Sequence, residues 1–173
     1  GGKESNMKED SKFPFSMYYV NGTGQLVNSR CHSSRMEIVE ILSGEVNVRI
    51  GTEVIACAEG DFIYVPPTLV YRADAVSESA SLRAMVFDTS ILEANMDKFD
   101  TEIFYMFYLQ SKNKVTPFKS GHPVYETLSR YMQESYDEYV SKDVCYKLPI
   151  RANIYLMMTA LLRYYCGSKD DSD

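Results

Sequence analysis

The first half of the chain is a series of short apolar runs separated by turn residues, and this feature constrains the fold most. The runs lie between Phe13 and Asp88 and are separated by glycine, proline, serine and asparagine. Val46, Val48 and Ile50 alternate with polar residues, which is typical of a strand with one solvated face. Because the turns are too short to hold crossover helices, we expect mainly antiparallel pairing. The pattern predicts a closed barrel or a β-sandwich over residues 13–88.

The pattern after Asp88 is that of helices. We predict a helical segment over residues 89–166 with two long antiparallel helices, at about 124–140 and 145–165. Pro123 suits the first turn of the earlier helix. Residues 1–12 are polar and predict a poorly ordered tail, whose Gly1-Gly2 start suits either a cleaved tag or a truncated chain. Residues 167–173 predict an acidic linker to a further domain.

The two long helices carry a wide apolar stripe. A stripe this wide needs a second contact, either the β domain together with the sister helix or another subunit. In the second case the chain is a homodimer, and the interface is formed by Leu128, Met132, Ile154, Met158, Leu161 and Tyr165.

Composition excludes several classes of function. The formal net charge of −6 argues against direct binding of a nucleic-acid backbone. No apolar run approaches the ~18 residues of a transmembrane helix, so we expect no membrane partner. Four cysteines without metal or redox spacing favour reduced thiols and a cytoplasmic location. No nucleophilic triad and no phosphate-binding loop is visible in the sequence.

The segment from Cys31 to Tyr71 resembles the two motifs of the cupins. The spacing H-x-H-x3-E-x6-G is occupied by Cys31, Ser33, Glu37 and Gly44. The spacing G-x5-P-x-G-x2-H is occupied by Gly60, Pro66, Thr68 and Tyr71. More narrowly, the runs MEIVEILSG and EGDFIYVP resemble the sensor domains of AraC-type transcription regulators.

This resemblance implies a mainly β fold with C-terminal helices: a cupin barrel (double-stranded β-helix, jelly-roll-like) followed by a helical dimerisation segment. It also implies a sensor that is not an enzyme and that binds a small-molecule effector inside the barrel, with a sugar-like compound as one candidate. In such regulators DNA is bound only through a C-terminal helix-turn-helix domain, which is absent from these residues.

The resemblance departs from the cupins where they bind metal. Imidazoles and a carboxylate suit such metals, but only Glu37 remains of that set, so we predict no metal and no cofactor. The predicted ligand-binding residues are Cys31, Ser33, Glu37, Tyr64 and Tyr71. His32 is expected to point to the opposite face of its strand.

The sequence leaves open the roles of these residues and the function of the chain. Glu37 either binds ligand or pairs with Arg35 or Arg72 at the barrel mouth, while Cys31 and the tyrosines are also compatible with simple packing. The alternative functions are a stand-alone cupin enzyme (an isomerase or a metal-dependent oxygenase) and a dimerisation domain whose barrel is filled by its own side chains.

Overall fold

The computed structural model describes residues 12–167, beginning with eight strands. They are β1 (Phe15–Gly22), β2 (Gln25–Arg30), β3 (Arg35–Ser43), β4 (Glu45–Ile50), β5 (Glu53–Ala58), β6 (Phe62–Val65), β7 (Tyr71–Ala75) and β8 (Ala80–Asp88). The remaining elements are α1 (Ser90–Glu93), α2 (Lys98–Asn113), a two-residue strand β9 (Pro117–Phe118), α3 (Tyr125–Ser141) and α4 (Lys147–Cys166). The predicted tail lies outside the described residues except for Lys12, and so does the predicted linker except for Gly167.

The strands form two antiparallel sheets. Sheet A has the order β1-β8-β3-β6-β9, and sheet B has the order β2-β7-β4-β5. Strands that are consecutive in the chain mostly alternate between the two sheets, which is the connectivity of a jelly roll. The predicted fold class, mainly β with C-terminal helices, is therefore confirmed. The β part consists of two facing sheets rather than one closed barrel.

Sheet A separates two hydrophobic cores. On β3, Val39 and Ile41 pack toward sheet B, whereas Met36 and Ile38 pack toward the helices. Because both faces are covered, β3 is a nearly continuous apolar run, while β4 in sheet B keeps the alternation of a strand with one wet face. We call these two cores the intersheet core and the helix-facing core.

The helix-facing core corrects the predicted dimerisation residues. Five of them are fully buried within this chain, at no more than 1% exposure: Leu128, Met132, Ile154, Met158 and Leu161. The sixth, Tyr165, is partly buried, with its ring 5.6 Å from that of Phe107. The outer face of sheet A is itself apolar and covers the stripe, so these residues hold α3 and α4 to the sheet instead of forming a subunit interface.

A partly buried arginine also ties α3 to sheet A. Arg83 on β8 donates through Nε to Glu40 on β3 at 2.6 Å and through Nη2 to Gln133 on α3 at 2.8 Å. Its guanidinium lies 5.1 Å from the ring centroid of Tyr136. Within residues 12–167, no helix combines the length and apolarity needed to cross a bilayer.

Candidate ligand site between the sheets

Glu37 carries a carboxylate that is buried between the two sheets. It lies on β3 facing the intersheet core, and its side chain is 1% exposed. Its Oε1 accepts a hydrogen bond of 2.7 Å from the Tyr18 hydroxyl, and its Oε2 accepts one of 3.0 Å from Nε of Arg30. Nη2 of Arg30 donates to Oε1 as well, which completes a bidentate pair. The charge is thus compensated where an unpaired carboxylate would be very costly.

Two tyrosines frame this ion pair. The Arg30 guanidinium lies 4.5 Å from the ring centroid of Tyr18 on β1 and 6.0 Å from that of Tyr71 on β7. Burial, followed by the nearby Glu37 carboxylate, raises the pKa of Tyr71 above its usual value. Burial and the neighbouring Tyr71 and Glu37 likewise raise the pKa of Tyr18. Both phenols therefore keep their protons and act as hydrogen-bond donors.

The Tyr71 hydroxyl is the unused donor of this group. It is buried close to Tyr18, but no side chain or backbone group of the described residues forms a well-oriented hydrogen bond with it. Buried hydroxyls are usually satisfied, so this one, which has only the neighbouring Tyr18 hydroxyl nearby in poor orientation, is available to a partner from outside the described residues. We call Tyr18, Arg30, Glu37 and Tyr71 the intersheet polar cluster.

The loop before β3 corrects the predicted positions of three residues. Strand β2 ends at Arg30, so residues 31–34 form a loop in which Cys31 and Ser33 are exposed. His32 instead turns inward, with its Nε2 3.7 Å from Oε2 of Glu37. The prediction that His32 points away failed because the side-chain alternation of a strand does not extend through this loop, whose His32 carbonyl accepts a hydrogen bond from Thr68 N.

Tyr64 lies on the other side of sheet A from Glu37. In the β3–β6 ladder Glu37 is opposite Val65, whereas Tyr64 is opposite Ile38 and faces the helices. Its ring centroid is 5.1 Å from that of Phe107 on α2. Of the five predicted ligand residues, the structure thus brings together only Glu37 and Tyr71.

Sequence reasoning missed Tyr18 and Arg30. The buried Glu37 carboxylate itself indicates that a cationic partner must lie nearby. The sequence suggests Arg35 or Arg72 for that partner rather than Arg30. Arg72 pairs with Asp74 at 2.7 Å on sheet B, and Arg35 lies opposite Asp88 in the β3–β8 ladder. Only the fold places the end of β2 over Glu37.

The side chains at the motif positions do not form a metal site like that of the cupins. At the motif positions, Cys31 and Ser33 are exposed on the loop, Glu37 is bound by Arg30 and Tyr18, and Tyr71 is a protonated phenol. In residues 12–167 no group of three histidine, cysteine, aspartate or glutamate side chains is arranged to hold a metal ion. The cluster offers hydrogen-bond donors and acceptors, and these suit recognition of hydroxyl groups.

No protein-family model and no curated protein matches this chain. Solved structures do match it in part. The protein Ylba from E. coli is 17% identical over 43% of this chain and 32% of its own, with a TM-score of 0.41. The Cnp3 cupin domain of Schizosaccharomyces pombe is 15% identical over 56% of this chain and 72% of its own, with a TM-score of 0.44. An HTH_3 family transcriptional regulator from Vibrio cholerae is 13% identical over 47% of each chain, with a TM-score of 0.42. The matched region thus spans about a third of Ylba and about half of the Vibrio protein.

Proposed function

We propose that this chain is the ligand-sensing module of an AraC-type transcription regulator, and that it binds a small polyhydroxylated molecule without a metal. The observation that carries the proposal is the intersheet polar cluster, in which the buried Tyr71 hydroxyl has no well-oriented hydrogen-bond partner in the described residues. A purely structural core would gain stability from a phenylalanine at that position.

The chemistry of the cluster favours hydroxyl groups as its ligand. A hydroxyl both donates and accepts, so it can accept from Tyr71 or Arg30 while donating to Glu37. The Arg30 side chain, at 23% exposure against 1% for Glu37, is the member of the pair that reaches solvent, so a ligand approaches from its side.

Signalling requires a further step. A ligand changes DNA binding only if it prefers one arrangement of the module over another. We propose that the module is a homodimer and that DNA is contacted through a C-terminal helix-turn-helix domain outside these residues. Because the central stripe of α3 and α4 is buried, the subunit contact would use exposed apolar residues such as Leu148 and Tyr164 on α4.

The test is a thermal and calorimetric titration with D-ribose, D-xylose, D-galactose and D-sorbitol. A probe present at about 100 times its Kd stabilises the folded chain by about 2.7 kcal/mol, which moves the midpoint of unfolding by several degrees. Tyr71→Phe should weaken binding of the active probe roughly tenfold, as expected for one lost hydrogen bond in a buried site. Tyr64→Phe is the matched control, since it removes an equally buried hydroxyl from the other face of sheet A.

Three results would overturn the proposal. The first is that none of the four probes shifts the midpoint, and the second is that Tyr71→Phe and Tyr64→Phe bind equally well. The third is stoichiometric iron, manganese, nickel or zinc in the purified protein, which would favour the stand-alone enzyme.

A further inference from the structure

We propose a second ligand site, for a small protonated amine with an apolar body, in a cavity between α1, α2 and α4. The cavity has a volume of about 230 Å³ and is open to solvent on one side. It is lined only by residues between Leu92 and Leu162, so it shares no residue with the intersheet polar cluster. The inference is therefore independent of the proposed function.

The deep part of the cavity is apolar and adaptable. Its walls there are side chains from the three helices and from the loop between α1 and α2: Leu92, Met96, Ile103, Met158 and Leu162. Methionine side chains are flexible and polarisable, so two of them let the wall adjust to a ring or an alkyl group. A dry apolar cavity of about 150 Å³ already accommodates benzene in another protein, so this one is large enough for a single substituted ring.

The hydroxyl donors at the cavity are already used within the chain. The Tyr155 hydroxyl donates to the Ile91 carbonyl at 2.9 Å and accepts from Nδ2 of Asn95 at 3.0 Å. The Thr159 hydroxyl donates to the Tyr155 carbonyl at 2.6 Å. A ligand that needs strong donors from the protein, such as a carboxylate, is therefore poorly served.

The groups left over are acceptors. Asp100 lines the cavity, and its carboxylate has no ion pair or hydrogen bond among the described residues. The side-chain carbonyl of Asn95 is a second acceptor at the same cavity. A carboxylate and an amide oxygen beside an apolar pocket suit an ammonium group attached to an apolar body.

The experiment is a chemical-shift titration of ¹⁵N-labelled protein with three probes of similar shape: 2-phenylethylamine, 2-phenylethanol and 3-phenylpropanoate. We expect shifts on α1, α2 and α4, with the ammonium binding about twofold to fivefold tighter than the alcohol and the carboxylate weakest. The preference is modest because the ion pair lies at a solvated rim, and it should shrink in about 0.5 M salt.

Variants separate the charge from the shape. Asp100→Asn should make the ammonium and the alcohol bind equally, while its position on the surface leaves the fold intact. Leu162→Phe fills the cavity and should weaken all three probes at least tenfold. Leu156→Phe, on the same helix but outside the cavity and half-exposed, is the matched control and should leave binding unchanged.

Each contrary outcome overturns the inference. Absence of shifts with all three probes at millimolar concentration removes the site, and shifts centred on β2, β3 and β7 place binding at the other cluster. An unchanged preference for the ammonium in Asp100→Asn removes the role of the carboxylate. Equal losses in Leu162→Phe and Leu156→Phe show that the cavity is not where the probes bind. Far-UV circular dichroism of each variant verifies folding.

Discussion

The ion pair between Arg30 and Glu37 leads to an asymmetric prediction for its two partners. We expect Arg30→Met to lower the free energy of unfolding much more than Glu37→Met, and the double variant to recover most of the difference. The reason is exposure: Glu37 is 1% exposed and cannot reach water, whereas Arg30 is 23% exposed and can turn outward when its partner is removed.

The structure sets the size of each effect. Arg30→Met leaves a buried carboxylate bound by Tyr18, and breaking a buried pair in this way costs about 3 kcal/mol, the lower end of the known range, because His32 lies nearby. Glu37→Met costs about 1–2 kcal/mol, mainly the lost hydrogen bond from Tyr18. In the double variant no charge is stranded, so it should cost about 2 kcal/mol, well below the sum of the single losses.

Urea unfolding followed by far-UV circular dichroism measures these differences, and tyrosine fluorescence provides a second probe because the chain has no tryptophan. Arg72→Met is the matched control. It breaks the Arg72–Asp74 pair, whose side chains are 41% and 30% exposed, and it should change the free energy of unfolding far less than Arg30→Met does. Equal losses for Arg30→Met and Glu37→Met, or a double variant equal to their sum, would refute the view that Arg30 compensates a buried charge.

Three further predictions concern single side chains. Burial raises the pKa of the Cys57 thiol to about 12, so iodoacetamide at about pH 8 should label exposed Cys31 but not Cys57 in the folded protein. Mass spectrometry of the peptides measures the labelled fraction of each cysteine, and rapid labelling of Cys57 would contradict the prediction. Desolvation lowers the pKa of His122, whose Nδ1 accepts a hydrogen bond from Val124 N, so the unfolded state takes up the proton first. Wild type should therefore lose stability relative to His122→Asn as the pH falls below about 6.5, and a difference that stays constant in urea titrations contradicts this. Tyr64→Phe removes a buried hydroxyl that forms no hydrogen bond within residues 12–167, so the free energy of unfolding should stay the same or rise by up to about 1 kcal/mol. A clear loss in the same assay would reveal a partner.

The strands and helices were predictable because their signals are local. The alternation of Val46, Val48 and Ile50 appears in the structure as β4, with those residues buried and their neighbours exposed. The two long helices begin and end within a few residues of their predicted bounds, since Pro123 and the spacing of apolar residues mark them.

The site was less predictable because it depends on which face a residue occupies and on what lies across from it. A motif spacing treats Cys31, Ser33 and Glu37 as one strand, yet the strand is interrupted, and the loop exchanges inward and outward positions. Tyr64 is buried, as an interior tyrosine should be, but sheet A has two buried faces and apolarity alone does not distinguish them. Arg30 is close to Glu37 only through the jelly-roll connection.

The apolar stripe of α3 and α4 also could not be assigned to a packing partner from the sequence. A wide apolar face indicates that something covers it, and the sequence left two candidates, the β domain or a second subunit. The structure assigns that role to sheet A for Leu128, Met132 and their counterparts on α4. The spacing of apolar residues along a helix indicates how much of its surface must be buried. Which element covers that surface depends on the tertiary fold.

The two cores that share sheet A give the molecule separable parts under mutation. Neighbouring residues such as Ile38 and Val39 face different cores and share few packing partners, so substitutions at alternate positions of β3 should act almost additively. Substitutions at the odd positions can change the packing and chemistry between the sheets without disturbing the helices. Substitutions at the even positions can reshape the helix-facing core while the intersheet polar cluster is preserved. One strand thereby lets the two cores diverge independently during evolution.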